Sequence, residues 1–296
     1  MDTQQSAVPV DRLRSSGPRR PAVEAVPAAW APELRARIDY RPLWPRFLFA
    51  APSMRLYRPL AARWPYAQLL LVSPDSGALL GWLDTAPAHW DGTDAGLPGG
   101  WDDLMRRAVR GLRAGRRPDT LAMMSLSVLP AARGAGLGRT AIELTRALAG
   151  RLGLRAVLAP VRPTAKCACP HVPMADYARR RRADGWPEDP WLRTHLRAGG
   201  RTAGVAEQST VLEAPLGDWA GWGASVPRSA GERAFTVAGA LAPVRVTRLG
   251  TGRYVEPNVW VIHSPSAATG KVHRRAPPDT AHRGVAGSRE YAQYEP

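Results

Sequence analysis

The apolar positions of this chain change period along its length, and those changes locate its elements. From Leu121 a run rich in Leu, Met and Val has the length and composition of a buried strand, and it ends at Pro130. A turn carrying Arg133, Gly134, Gly136 and Gly138 follows. From Arg139, residues Ala141, Leu144, Ala147 and Leu148 recur at the spacing of one helix face, and this helix runs to about Leu152. Upstream, Ala67 to Ser73 and Ala78 to Thr85 read as two strands joined by the turn Pro74-Asp75-Ser76-Gly77. Trp101 to Ala114 reads as a helix, with Leu104, Met105, Ala108, Val109 and Leu112 apolar and Asp102 and Asp103 in its first turn. Pro32 to Trp64 supplies short helices, and Ala156 to Val161 is a further strand. Pro190 opens a short helix that Gly199 and Gly200 stop.

The two ends lack this periodicity. Residues 1–30 and 264–296 are rich in Pro, Ala, Ser, Gly and Arg, too poor in apolar surface to offset chain entropy, and are expected to be disordered. Residues 206–263 are expected to form a mainly β extension packed on a core spanning 31–205. In that extension Leu249-Gly250-Thr251-Gly252 looks like a hairpin turn before a strand to His263, and Asp218 is placed to cap a short helix.

Strand, glycine turn and helix N-terminus together make an anion site. Glycines allow close backbone approach, and the N–H groups and helix dipole favour negative charge. No Gly-Lys-Ser/Thr follows the glycines, and a dinucleotide fingerprint would need a third glycine where Arg139 or Ala141 stands. What fits is Arg-x-x-Gly-x-Gly, with Arg133, Gly136 and Gly138, preceded by Val128-x-Pro130. This stretch resembles the pyrophosphate-binding motif of the GNAT acyltransferase superfamily, and the order of elements over Pro32 to Val205 is similar to that superfamily's core. The resemblance implies an α/β (α+β) fold with a central mixed sheet and flanking helices. It also implies an acyl-CoA or acetyl-CoA co-substrate held by Val128, Arg133, Gly134, Ala135, Gly136, Leu137, Gly138, Arg139 and Thr140. The activity implied is acyl transfer to an amine.

Two features depart from that family's pattern. An insertion, Arg162 to Asp189, carries Cys167, Cys169, His171, Tyr177 and the run Arg179 to Arg182. His195 stands where the family's closing tyrosine belongs, so the resemblance implies that it protonates the departing thiolate. Tyr177 is the rival for that proton transfer. No acid lies on the motif strand, which offers only Ser125 and Ser127. Asp84 and Glu256 are the candidate bases, each also readable as a solvated or salt-bridged surface acid. Cys167, Cys169 and His171 lack the two-plus-two spacing of a structural zinc, and no metal is expected.

Composition narrows the picture further. Forty-five per cent apolar residues over 296 suffice for a real core, no run reaches membrane-spanning length, and two cysteines make no disulfide framework, so a cytoplasmic setting fits. The net charge of +16 is almost all arginine and concentrates at Arg106, Arg107, Arg110, Arg113, Arg116, Arg117 and Arg179 to Arg182. Such a surface attracts acidic partners: coenzyme A, or a carrier protein presenting the acyl group. The acceptor is then a small molecule, a peptide or a carrier-bound group. Nucleic acid is disfavoured, because no reading motif accompanies the charge and the glycine loop would go unexplained. A catalytically silent acyl-CoA sensor and a decarboxylase-like use of the fold stand as alternatives.

Overall fold

The computed structural model describes residues 13–15, 22–227 and 233–266. Its elements, in chain order, begin with strands β1 (Leu13–Ser15) and β2 (Val23–Pro27) and helices α1 (Pro32–Ala36) and α2 (Met54–Arg63). The hairpin β3 (Leu69–Val72) and β4 (Leu79–Ala88), helix α3 (Trp101–Arg113), strand β5 (Thr120–Val128) and helix α4 (Leu137–Arg151) follow. Next come β6 (Ala156–Val161), α5 (Met174–Arg179), α6 (Pro190–Arg197), β7 (Arg201–Pro215) and α7 (Leu216–Gly221). Strands β8 (Ala234–Phe235), β9 (Val244–Val246) and β10 (Thr251–His263) complete the described chain.

The ten described strands join one mixed sheet, in the order β1-β2-β3-β4-β5-β6-β10-β9-β8, with β7 paired to β10. Among the described strands only β5 and β6 run parallel. The right-handed crossover that parallel neighbours require is supplied by α4, so the motif helix lies against the strand that precedes it. Side-chain alternation then builds a layer on each face. Leu121 and Met123 share a core with Leu137, Ala141, Leu144 and Leu148 of α4. Ala122 and Met124 point the other way, into a core with Tyr57 and Leu60 of α2 and Leu104, Met105 and Ala108 of α3.

Two irregularities in this sheet matter for chemistry. The β5–β6 ladder stops at Ala122↔Leu158, so the two strands part beyond it. In the β4–β5 ladder Asp84 faces Ser125 while Thr85 faces Met123, which leaves Met124 as an extra residue on β5. The Met124 carbonyl accepts instead from the Trp101 indole N–H at 3.0 Å. A bulge of this kind re-aims the side chains after it. Ser125 and Ser127 are thereby turned toward the α2–α3 face, where their hydroxyls meet Tyr57 and Trp44.

Several expectations need correction. Val23–Pro27 lies inside the segment expected to be disordered, yet it is a buried strand paired with β3. Five residues between prolines show too little periodicity to be read as a strand, and the partner strand supplies the order. The expected boundary at residue 206 falls within β7, which pairs with β10 along much of its length. The extension shares its core with the N-terminal region as well, Phe47 packing with Trp219 and Tyr254. It is part of one sheet, because β10 bridges β6 and β7. Asp218 lies in the first turn of α7, with Pro215 at the N-cap position, so it does not cap that helix. Ser264 and Ser266 hydrogen-bond Arg146 through their backbones; the rest of the expected C-terminal tail lies outside the described residues, as do residues 1–12 and 16–21.

Candidate active site

The loop leaving β5 folds through a short 3-10 turn, Pro130–Ala132, into the N-terminus of α4. Gly134 and Gly136 both take the left-handed conformation, with φ of +82° and +79°. Gly136 is the N-cap of α4 and its carbonyl accepts from the N–H groups of Arg139 and Thr140. The N–H groups of residues 134–138, Ala135 among them, have no hydrogen-bond acceptor among the described residues. A ring of free donors at the positive end of a 15-residue helix is chemically an anion cradle. Arg133 is exposed beside it, its Nε reaching the Val128 carbonyl at 3.3 Å. Leu137 and Thr140 are buried beneath the loop, and Arg139 pairs with Glu143.

Gly138 serves packing. A Cβ there would stand 2.9 Å from the Trp191 ring and 3.8 Å from Thr194, so its hydrogen lets α6 lie against the first turn of α4. Gly138→Ala is expected to cost about 1–3 kcal/mol by overpacking, read as a lower denaturant midpoint at an unchanged m-value.

Helix α6 is fixed at its start by Asp189, whose Oδ1 accepts from the N–H groups of Trp191 and Leu192, both at 2.9 Å. The other oxygen accepts from the Ala165 N–H and the Tyr177 hydroxyl. Tyr177 is therefore gathered with the start of α6 and with the segment leaving β6, at the end where β5 and β6 have parted. Burial first, and then Asp189, raises the phenol above its ordinary value. The buried ammonium of Lys166 ties this insertion to the C-terminal part of the chain by donating to the Leu241 carbonyl, and braces the insertion itself through the carbonyls of Cys169 and Pro170.

His195 is not brought there. It follows Trp191 by one turn, its ring 4.4 Å from the Trp191 ring, and is 1% exposed. Its Nδ1 lies 2.9 Å from Nε2 of His263, which pairs with Val157 near the start of β6, where β5 and β6 are still joined. Burial, and then His263, pushes its pKa well below the ordinary value, so the ring is neutral. The structure thus encloses His195 at the joined end with His263 as its partner, apart from Tyr177 and the parted strands.

The two candidate bases are buried rather than solvated. Glu256 accepts from Arg162 Nε at 3.1 Å on both oxygens and from the Tyr254 hydroxyl at 2.7 Å. Those partners use its capacity. Asp84 is 1% exposed, mid-sheet on β4. Its Oδ2 accepts from Tyr40 at 2.6 Å, Tyr57 at 2.5 Å and Ser125 at 3.0 Å, and Arg35 Nη1 stands 2.7 Å from Oδ1. Burial, and then Asp84, raises both phenols, so each stays a donor at neutral pH. Ser125 ties this group to β5, three residues before Val128, or about 10 Å along the strand. The tyrosines and Arg35 were not singled out from the sequence; only the cluster of Arg and Tyr within the predicted short helices hinted at them.

Two open hollows lie away from this point. Insertion and extension line one, through His171, Leu241 and Arg253. The other is lined by Arg107, Arg110, Arg116 and Arg155 with Asp91 and Asp119, so part of the expected basic surface is concave. Among the described residues no group of His, Cys, Asp or Glu could hold a metal ion, and no helix is long and apolar enough to cross a membrane.

Glycine cradle, parted strands and covered sheet define the fold class expected from the motif, and comparison with known proteins agrees. The chain is 30% identical over 251 residues to arginine N-acetyltransferase avaD of Aspergillus versicolor, covering 75% of this chain and 85% of that one. It belongs to the GNAT superfamily of N-acyltransferases. It is also similar in structure to the loading GNATL domain of CurA from Lyngbya majuscula, with 15% identity, TM-score 0.48, and 82% and 96% of the two chains covered. The GphF GNAT-like decarboxylase in complex with isobutyryl-CoA aligns with 20% identity and TM-score 0.46 over 82% and 99% of the chains. No family model matches the chain.

Proposed function

We propose that this chain transfers an acyl group, acetyl in the simplest case, from coenzyme A to the amine of a small cationic acceptor of the arginine type. The observation that carries the reading is the placement of two opposite sites on β5: free N–H donors after Val128, and the Asp84 carboxylate bonded to Ser125. The first suits a pyrophosphate, the second a cation. The kinship with an arginine N-acetyltransferase supports the same acceptor class.

In this reading Arg133 and residues 134–140 hold the pyrophosphate, and the pantetheine arm enters where β5 and β6 part. Beyond Ala122 the β6-facing backbone of β5 has lost its partner strand, and an N–H of that stretch near Val128 polarises the thioester carbonyl. The acceptor amine attacks that carbon, the carbon–sulfur bond breaks, and the thiolate leaves. Tyr177 supplies its proton, after the hydroxyl turns from Asp189, and the proton lost by the amine nitrogen passes to solvent water, which reprotonates the phenolate. Asp84 meets β5 at Ser125, about 10 Å along the strand from Val128, too far from the thioester to take the amine's proton. Its part is to anchor positive charge.

The test is turnover of acetyl-CoA with arginine, agmatine, neutral amines and no acceptor, followed by thiol release and product mass. Acetylated arginine or agmatine is expected, and CoA binding without turnover of any amine would leave the sensor reading. Tyr177→Phe is expected to lower kcat about a hundredfold with CoA affinity unchanged. Full activity in that variant would send the thiolate's proton through water.

A further inference from the structure

The cation that now faces Asp84 belongs to the chain itself. Arg35 projects from α1 to within 2.7 Å of Asp84 Oδ1, and its own side chain remains a quarter exposed. The two atoms are close but misaligned, so neither Nη1 nor Oδ1 has a hydrogen-bond partner although both are buried. The attraction is charge against charge, without the parallel fork that a guanidinium and a carboxylate form at their best.

The surroundings are those of a cation box. The Arg35 guanidinium carbon lies 5.9 Å from the centre of the Tyr40 ring. Tyr40 stands edge-on to Tyr57 and Trp82, at 6.2 and 5.2 Å, and Tyr57 stacks on Trp101 at 5.8 Å. Aromatic faces and a carboxylate together favour a planar cation. The helix that carries the plug is short and lightly held: α1 has five residues, none of them fully buried, no side-chain cap, and Leu34 as its packing contact with the core. By contrast Asp84, Tyr57 and Ser125 sit on the sheet and on α2, at most 9% exposed.

We infer that Arg35 occupies the place of the acceptor's guanidinium, and that an alkylguanidine binds Asp84 by displacing Arg35 and releasing α1. The site is then self-plugged: without acceptor the buried carboxylate is neutralised by the chain, and with acceptor the same carboxylate is neutralised by substrate. Apparent acceptor affinity is reduced by the fraction of molecules in which the plug is in place. This inference rests on the cationic-acceptor reading above.

The probe is agmatine, titrated by calorimetry into the full chain in the absence of coenzyme A. Arg35→Ala and Arg35→Gln are expected to bind it about tenfold more tightly than the parent, the gain from a plug that is in place roughly nine-tenths of the time. Asp84→Asn should bind it no better than background. An unchanged or weaker affinity in the two Arg35 variants would make Arg35 a structural counter-ion and overturn the inference. Because those variants leave Asp84 buried without its cation, a second measurement uses the parent protein. Amide hydrogen exchange over residues 32–41 should accelerate when agmatine is added, and slower or unchanged exchange would equally overturn the plug. The enzymatic reading fails separately: agmatine that binds and releases α1 but is never acetylated refutes the transfer, whereas acetylation with an inert Arg35 refutes only the plug.

Discussion

Gly136→Asp is expected to lower coenzyme A affinity at least a hundredfold while the protein stays folded. Gly136 has a φ of +79°, a conformation that costs an L-residue roughly 1–2 kcal/mol. No atom lies within 4 Å of a Cβ built there, so the side chain itself fits and the fold tolerates it. The larger effect is electrostatic. The new carboxylate would sit at the N-cap of α4, accept the free N–H groups of the loop, and repel the incoming pyrophosphate. Loss of one or two charge-assisted bonds at about 1.5–3 kcal/mol each accounts for a hundredfold or more. Calorimetric titration with CoA checks it, and Arg133→Ala should weaken binding by a smaller step. Parent-like affinity in both variants would remove the pyrophosphate from this loop.

The second large effect is an acid-dependent loss of stability from the His195–His263 pair. Burial, and then Arg146, lowers His263 to about 4, and His195 is depressed as well. Only one proton can lie between Nδ1 of His195 and Nε2 of His263, so charging both rings would set two donors against each other. Unfolded, each ring takes up its proton near pH 6.5. The unfolded state therefore binds more protons between about pH 6.5 and 4, and stability falls as pH falls through that window. It is fully present above it. For His263 alone the loss amounts to about 3 kcal/mol, with His195 adding in the same direction. Urea midpoints at pH 7.5, 6, 5 and 4.5 measure it. A His195→Phe, His263→Leu double variant should show a shallower acid slope, and parallel curves would locate the sensitivity elsewhere. At pH 7.5, His195→Ala is expected to lose about 2–4 kcal/mol from the cavity and the stranded His263 nitrogen, with CoA affinity unchanged.

How far the sequence carried depends on the kind of signal. The strand–glycine–helix unit, the helix Trp101–Arg113 and the strand Ala156–Val161 were legible because each carries its apolar residues as an unbroken run or at the helical period over a full element. Val23–Pro27 was missed because five residues carry too short a pattern. The insertion was visible as a departure from the family order, but nothing in its composition said that Lys166 would anchor it on the Leu241 carbonyl.

The candidate site divides in the same way. Gly134, Gly136 and Gly138 follow one another in the chain, so a local reading could place the anion cradle. Which side chains meet across the sheet is a matter of register and direction, and register is set by pairing between distant segments. A single extra residue, Met124, turns Ser125 toward Asp84, and it was the fold that closed Arg35, Tyr40 and Tyr57 over that carboxylate. The same holds for His195, whose place on α6 was read correctly while its partner, His263, lies 68 residues away at the end of the last strand. Sequence by itself determined the elements and the phosphate-type loop, because both depend on neighbours within a few residues. Only the tertiary structure decided which acid is buried, which histidine is enclosed and which arginine faces the carboxylate, because burial and charge pairing are properties of groups brought together from distant parts of the chain.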